Sequence, residues 1–258
     1  MQNYKQQITR NFSINADQYD QYARVQNYAA VRLSGYLNRI EVKPGGKILE
    51  IGCGTGFVSE KLIQMFPENP IIISDISPKM LGKCRDKLVD KGYELESVYF
   101  QVLDGETIDS FEPYELIVSG LTVQWFGDLE KWLKRGISTL RAGTNFIFSY
   151  LSDKSFPEWK DTCQQMGIAY FGNTLPDCDL IRKLSRNNRL RCLWECEFKS
   201  EEYESLMHFF YELKKIGAST RSSKDGKSLG TLRKLNQFHN NGKGCRISHH
   251  LVYSIITV

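Results

Sequence analysis

The segment Ile48-Leu49-Glu50-Ile51-Gly52-Cys53-Gly54-Thr55-Gly56 places three glycines at every second position. A short apolar run, Lys47–Ile51, precedes them, and a stripe of Phe57, Val58, Leu62, Ile63 and Phe66 follows at helical spacing. This reads as a buried strand, a tight turn and a helix. Glycine lets the backbone turn sharply and lets a ligand come close. A helix N-terminus directly after the turn offers N–H groups to an anion. Any tight strand-to-helix turn also favours glycine, so the cluster alone does not specify a ligand. Its G-x-G-x-G spacing differs from the G-x-G-x-x-G of dinucleotide loops.

Outward from this segment the chain alternates. Strands are expected at Ile71–Ser74, Ser97–Leu103, Tyr114–Ser119 and Thr144–Leu151. Ser77-Pro78 opens a helix to about Lys91, with serine as N-cap and proline at the first helical position. Asp128–Leu140 is a helix with Leu129, Trp132, Leu133 and Ile137 on one face. Alternating units of this length predict a doubly wound α/β sheet covered on both faces. Flanking it, Ala16–Ile40, Glu158–Ile181 (interrupted at Gly172-Asn173 and Pro176), Glu201–Ile216 and Ser228–His239 read as helical. Leu190–Phe198 and Ile247–Val258 read as strands that return to the sheet.

The 258 residues suit one domain rather than two. With 41% hydrophobic and 25% charged residues, the composition excludes disorder and fibrous repeats. No apolar run approaches the roughly 20 residues of a membrane helix. The N-terminus lacks the apolar core of a signal peptide, and seven cysteines form an odd set. Both point to reduced thiols in the cytoplasm. Cys192 and Cys196 resemble a metal pair only superficially, because no second pair follows at zinc-site spacing. Net charge is +4, but nine basic residues and one acid lie between Lys214 and Arg246. That +8 stretch is either a solvated face or a dock for an acidic partner.

Three acids end successive strands: Glu50, Asp75 and Asp104. In doubly wound folds the second of these faces ribose hydroxyls. Three carboxylates around one crevice suit a cofactor with an amino group and a sulfonium better than one with a pyrophosphate. Glu50–Gly56, Asp75-Ile76-Ser77-Pro78-Lys79-Met80-Leu81 and Asp104-Gly105 together resemble the successive motifs of class I S-adenosylmethionine-dependent methyltransferases. The resemblance implies a Rossmann-like, seven-stranded sheet with an N-terminal helical cover and helical lid insertions. It implies one domain with a cover over 1–45, a cofactor-binding core over 46–151 and a helical insert over 152–189. The last two strands and an intervening basic helical lid would occupy 190–258.

By the same resemblance, Gly52, Cys53 and Gly54 pass under the methionine part and Asp75 takes the ribose hydroxyls. Ile76 and Met80 flank the adenine, Asp104 reaches its amino group beside Gly105, and Gly120 with Leu121 approaches the sulfonium. Glu50, Tyr19 and Gln26 complete the expected cofactor set.

Further segments narrow the family. Phe12, Ala16, Tyr19-Asp20, Ala23 and Gln26 resemble the N-terminal helix of the malonyl-acyl-carrier-protein O-methyltransferases of biotin synthesis. So do Leu121–Leu129 with its Val123-Gln124-Trp125, Ser155–Glu158, Leu213–Ala218 and the final His249–Ile256 strand; Ser219–Thr231 departs from the pattern. This resemblance implies methyl transfer to the free carboxylate of a malonyl group on acyl carrier protein. Such a carboxylate is already ionised at neutral pH and needs no general base. That suits a chain in which His208, His239, His249 and His250 form no evident pair with an acid or thiol. The carboxylate does need a cation or donor when desolvated. Arg24, Arg221, Arg233 and the hydroxyls of Tyr19 and Tyr22 are the candidates. Tyr19 and Tyr22 form a lid or simply pack on the sheet. Gln124 and Trp125, with Phe126, line an acyl pocket or belong to the core. Rival readings are a methyltransferase for another small acid or a quinone-type metabolite, and an NAD-dependent oxidoreductase. No aromatic platform accompanies the basic run, which argues against nucleic acid.

Overall fold

The computed structural model describes residues 2–187, 190–219 and 244–257. Seven strands form one sheet: β1 Lys47–Ile51, β2 Ile71–Asp75, β3 Val98–Val102, β4 Tyr114–Gly120, β5 Asn145–Leu151, β6 Arg191–Tyr203 and β7 Cys245–Thr257. Their order is β3-β2-β1-β4-β5-β7-β6. All neighbours run parallel except β5 with β7 and β7 with β6. The expected α/β sheet is therefore present, with the two last strands added to its edge. The order reverses between β1 and β4, and at such a point the strand ends open a crevice.

Burial explains the central strands. Ile48, Leu49 and Ile51 are buried, and β1 pairs with β2 and β4 through Leu49↔Ile72 and Leu49↔Ile117. Both faces are covered, so these strands are continuously apolar rather than alternating. On one face lie α3 Arg24–Leu37, α4 Phe57–Met65 and α5 Pro78–Asp90; on the other lie α6 Leu129–Ile137 and α8 Leu180–Asn187. The Ser77 hydroxyl caps α5 by accepting from the Met80 amide at 3.2 Å. Asp128 caps α6 by accepting from the Lys131 amide at 2.9 Å. The α6 stripe buries Leu129, Trp132, Leu133 and Ile137 as its spacing predicts.

Three expectations change. The helix expected over 16–40 is split: α1 Gln2–Asn15 and a single turn, α2 Tyr19–Tyr22, precede α3. The chain leaves helical geometry at Ala23, at φ −84 and ψ 45. Ala23 is fully buried at this break, and in the turn before it Asp20 accepts from the Thr55 hydroxyl and from Lys87 Nζ. The helix expected over 158–181 stops early as α7 Pro157–Gln165, and Gly167 follows in the left-handed region. The helix expected from Glu201 starts at Leu206 as α9 Leu206–Lys215, capped by Ser205. Residues before it stay in the ladder, where Glu201 pairs with Ile247 and Tyr203 with Cys245. The expected Ser228–His239 helix lies outside the described residues. Among the described residues no helix is long and apolar enough to cross a membrane.

Trp132 joins fold to site. Its ring packs edge-on against Phe111 and Phe126, at 5.3 and 4.8 Å between centroids. Its indole N–H donates to the Gly105 carbonyl at 2.9 Å, which fixes the turn after β3. Truncating a buried tryptophan costs about 3–5 kcal/mol. Trp132→Ala is therefore expected to lower the urea midpoint by that stability without changing the slope, measured by circular dichroism.

Candidate functional site

A cavity of about 560 Å³ opens above the carboxyl ends of the strands. One end lies over β1, β2 and β3, the other over β5, β7 and β6. The N-terminal helices roof it.

The glycine loop is built from inside. The amides of Gly52 and Cys53 both donate to the Ser74 carbonyl, at 2.8 and 2.9 Å. The Gly54 amide donates to Asp75 Oδ2 at 2.9 Å, and the Gly56 amide to the Cys53 carbonyl at 2.9 Å. This needs φ of +74, +54 and +93 at the three glycines. At Gly52 a Cβ would also meet Thr122 Oγ1 at 2.2 Å. The sequence placed its anion-binding N–H groups at the helix N-terminus that follows this loop. The four loop amides are satisfied within the fold.

The acids differ from one another more than the sequence suggested. Asp75 is 8% exposed and also accepts from the Ser77 amide at 2.7 Å. Burial pushes its pKa up to about 6, against the two backbone donors. Each carboxylate oxygen retains a second lone pair, so the pair of oxygens remains able to accept from a diol. Glu50 is 1% exposed, with its Oε2 accepting from Ser59 Oγ at 2.5 Å. Burial raises its pKa to about 8. Burial thus opposes the ionisation of Glu50 beside Asp75, where the sequence suggested a third anion. Asp104 is paired with Lys5 of α1 at 2.6 Å, and Lys5 also meets Glu106 at 2.6 Å. Its availability to an adenine amino group is shared with that lysine, a partner that lies 99 positions away and carries no sequence signal.

The remaining expected residues converge. Tyr19, Tyr22, Gln26, Cys53, Ile76, Met80, Gly105, Gly120, Gln124 and Trp125 all line the cavity. Tyr19 lies by Asp75, and burial raises its hydroxyl pKa. Its ring sits 6.5 Å from Phe12, which packs edge-on to Trp125 at 5.5 Å. Tyr22 instead faces Tyr211 of α9 at 6.0 Å. The Oε1 atoms of Gln26 and Gln124 are buried without partners. Leu121, beside Gly120, adopts φ +49, a conformation costly for a non-glycine residue.

Arg24 corrects an expectation. Its guanidinium is already bound to Glu201 at 3.1 Å and Glu212 at 2.8 Å. It is therefore not a free partner for a substrate carboxylate. Arg221 and Arg233, with most of the basic stretch, lie outside the described residues. His250 is tied to Ser152 at 2.7 Å.

Sequence reading missed the aromatic end. Phe156 and Trp159 of the α7 region, Phe171, Tyr203, Phe209 and Phe210 line it together. They come from four separate segments, and only Phe209-Phe210 is a local signal.

The residues present fit a nucleoside bearing an amino acid cation: a diol acceptor, a buried carboxyl and unpartnered amide oxygens, around an apolar slot. Known proteins agree. The family model described as "Methyltransferase domain" matches residues 42–211. Malonyl-[acyl-carrier protein] O-methyltransferase 2 of Ilyobacter polytropus is 30% identical, over 98% of this chain and 97% of that protein. The biotin biosynthesis bifunctional protein BioCD of Bordetella avium is 32% identical over 82% of this chain and 44% of that protein. Among solved structures, the YcgJ protein of Bacillus subtilis superposes with a TM-score of 0.59 at 13% identity, over 88% of this chain and 97% of that one.

Glu50 gives the unliganded site a pH signature. A carboxyl whose folded pKa exceeds its unfolded value binds more protons when folded. Its contribution is present at low pH and is lost as pH rises from the ordinary carboxyl range, 4.5, through about 8. Glu50→Gln is expected to melt several degrees above the unsubstituted protein at about pH 8.5 and close to it at about pH 5, by calorimetry without ligand.

Proposed function

The chain belongs to the methyltransferase-domain family, and from that premise we propose that it methylates the free carboxylate of malonyl-acyl carrier protein, in biotin synthesis. The observation that carries this reading is the single cavity that joins the Asp75 and Glu50 end to the aromatic end, past Gly120. A relative of that printed activity aligns over nearly the whole chain, including both ends of the cavity.

S-adenosylmethionine, when bound, supplies a methyl group on a sulfonium. Asp75 accepts from the ribose hydroxyls, and Ile76 and Met80 form the walls of the adenine slot. Glu50 and the Gln26 and Gln124 amide oxygens serve the amino end. An ammonium held beside Glu50 would favour its ionised form. The acceptor carboxylate is ionised at neutral pH, so no residue removes a proton from it. The protein's part is to align the acceptor carboxylate with the methyl group and to exclude water. Tyr19, Phe12 and Trp125 close the roof over that point. The +8 stretch from Lys214 to Arg246 supports an acidic carrier as the partner.

The direct test is mass spectrometry of malonyl-carrier protein incubated with enzyme and S-adenosylmethionine. The expected result is a gain of one methyl group that ester hydrolysis removes. No gain, with methylation of free malonate or another small acid instead, refutes the reading.

Asp75 sets a second expectation. The ionised form is the better acceptor for two hydroxyls, and its pKa lies at about 6. Affinity for S-adenosylhomocysteine is expected to be nearly level above about pH 7 with respect to this group and to fall as pH drops through about 6. In Asp75→Asn, titration calorimetry is expected to find weaker binding and no inflection near that pH.

A further inference from the structure

The aromatic end holds polar atoms without partners. Trp159 of α7 is 5% exposed, and its indole Nε1 makes no hydrogen bond. Asn173, in the segment between α7 and α8, buries an unpartnered Oδ1. His249 of β7 is 4% exposed and leaves Nδ1 unpartnered, while its ring bonds to the Lys199 backbone. Burial lowers its pKa to about 4, so the imidazole is neutral. A ring nitrogen bonded to a carbonyl carries the hydrogen, which leaves Nδ1 as an acceptor. All three residues line the cavity. Aromatic rings surround them: Trp159 lies 4.9 Å from Phe171 and from Phe210, and His249 lies 5.0 Å from Phe156.

This set has a definite chemistry. Its unpartnered atoms are one N–H donor and two acceptors, in an apolar shell. The guanidinium next to it, Arg24 over the Tyr203 ring, is committed to Glu201 and Glu212. A carboxylate, which only accepts, would meet one donor and two repelling lone pairs. A secondary amide matches the set, because its C=O accepts and its N–H donates while its flanking carbons suit aromatic walls. Unpartnered buried polar groups strongly favour a ligand that completes them.

Building on the acyl-carrier reading, we propose that this chamber, between α7, α9 and β7, binds the amide-bearing thioester arm of the carrier. Trp159 donates to an amide carbonyl of the arm, and Asn173 and His249 accept from amide N–H groups. The arm then enters over the β5–β7 side, and the malonyl carboxylate extends towards Gly120 and the cofactor. Trp159, Asn173 and His249 are positioning residues for the acceptor and take no part in bond making.

The test compares malonyl-pantetheine with malonyl ethyl thioester, which carries the same reacting group and no amide. Trp159→Phe keeps an aromatic ring, though a smaller one, and removes the N–H. It is expected to raise KM for malonyl-pantetheine about tenfold, the effect of one hydrogen bond, with kcat little changed. KM for the ethyl thioester and for S-adenosylmethionine should stay as in the unsubstituted enzyme. Asn173→Ala, outside any helix or strand, should repeat the pattern and carries the test if Trp159→Phe fails to fold. Equal increases for both thioesters, or no increase for either, overturn the chamber assignment while the methylation reading stands. If the unsubstituted enzyme methylates neither thioester nor malonyl-carrier protein, the substrate reading itself falls, and this assignment with it.

Discussion

The amides of Gly52, Cys53 and Gly54 end on Ser74 and Asp75, so the loop after β1 is fastened to the end of β2. Much of the site's polarity follows from that fastening. A loop whose N–H groups point inward presents carbonyls, a carboxylate and Cα hydrogens to the crevice. Such a surface attracts hydroxyl donors and cations and repels phosphates. Glu50 adds to this: burial and the neighbouring Asp75 raise its pKa, so two adjacent buried anions are disfavoured.

The roof over the crevice is held differently from the floor. Val25, Ala29, Leu33 and Leu37 anchor α3 in the core. Ahead of Ala23 many ties are polar. Lys5 meets Asp104, Ser13 meets the Ser77 hydroxyl at 2.8 Å, and Asp17 meets Lys79 at 2.5 Å and Lys83 at 2.7 Å. Partly exposed ion pairs of this kind contribute about 0–1 kcal/mol each. Apolar contacts add to these ties, through buried Ile8 and Ala16 and through Phe12 against Trp125.

Legibility in the sequence followed the range of the interaction. The β1 strand, the glycine turn, the Ser77-Pro78 cap and the α6 stripe are local patterns, and each appears where its spacing puts it. Asp75 and Asp104 were placed by strand ends, which are also local. What escaped was settled by distant partners. Lys5 reaches Asp104, Arg24 pairs with Glu201 and Glu212, and Asp20 bonds Thr55 and Lys87. The protonation of Glu50 depends on how completely α4 and the neighbouring strands cover it. The aromatic chamber draws on α7, the segment after it, β6, α9 and β7, and its residues show no common period.

A reaction whose nucleophile is ionised beforehand asks the protein for position rather than proton transfer. Position is best enforced by contacts far from the reacting atoms, where binding energy opposes the entropy of alignment without disturbing the charge that must react. The cavity has that form. Gly120, Leu121 and Trp125 are among its lining residues, and of the lining cations Arg24 and Lys5 are held in ion pairs. Strong complementarity sits at the two ends, in the Asp75 region and among Trp159, Asn173 and His249. A lysine or arginine beside the methyl acceptor would bind the carboxylate more tightly in the ground state than during transfer, when its charge is being lost. Commitment of Arg24 to two glutamates is therefore consistent with rapid transfer, since it keeps a fixed positive charge away from a reaction that consumes the negative one.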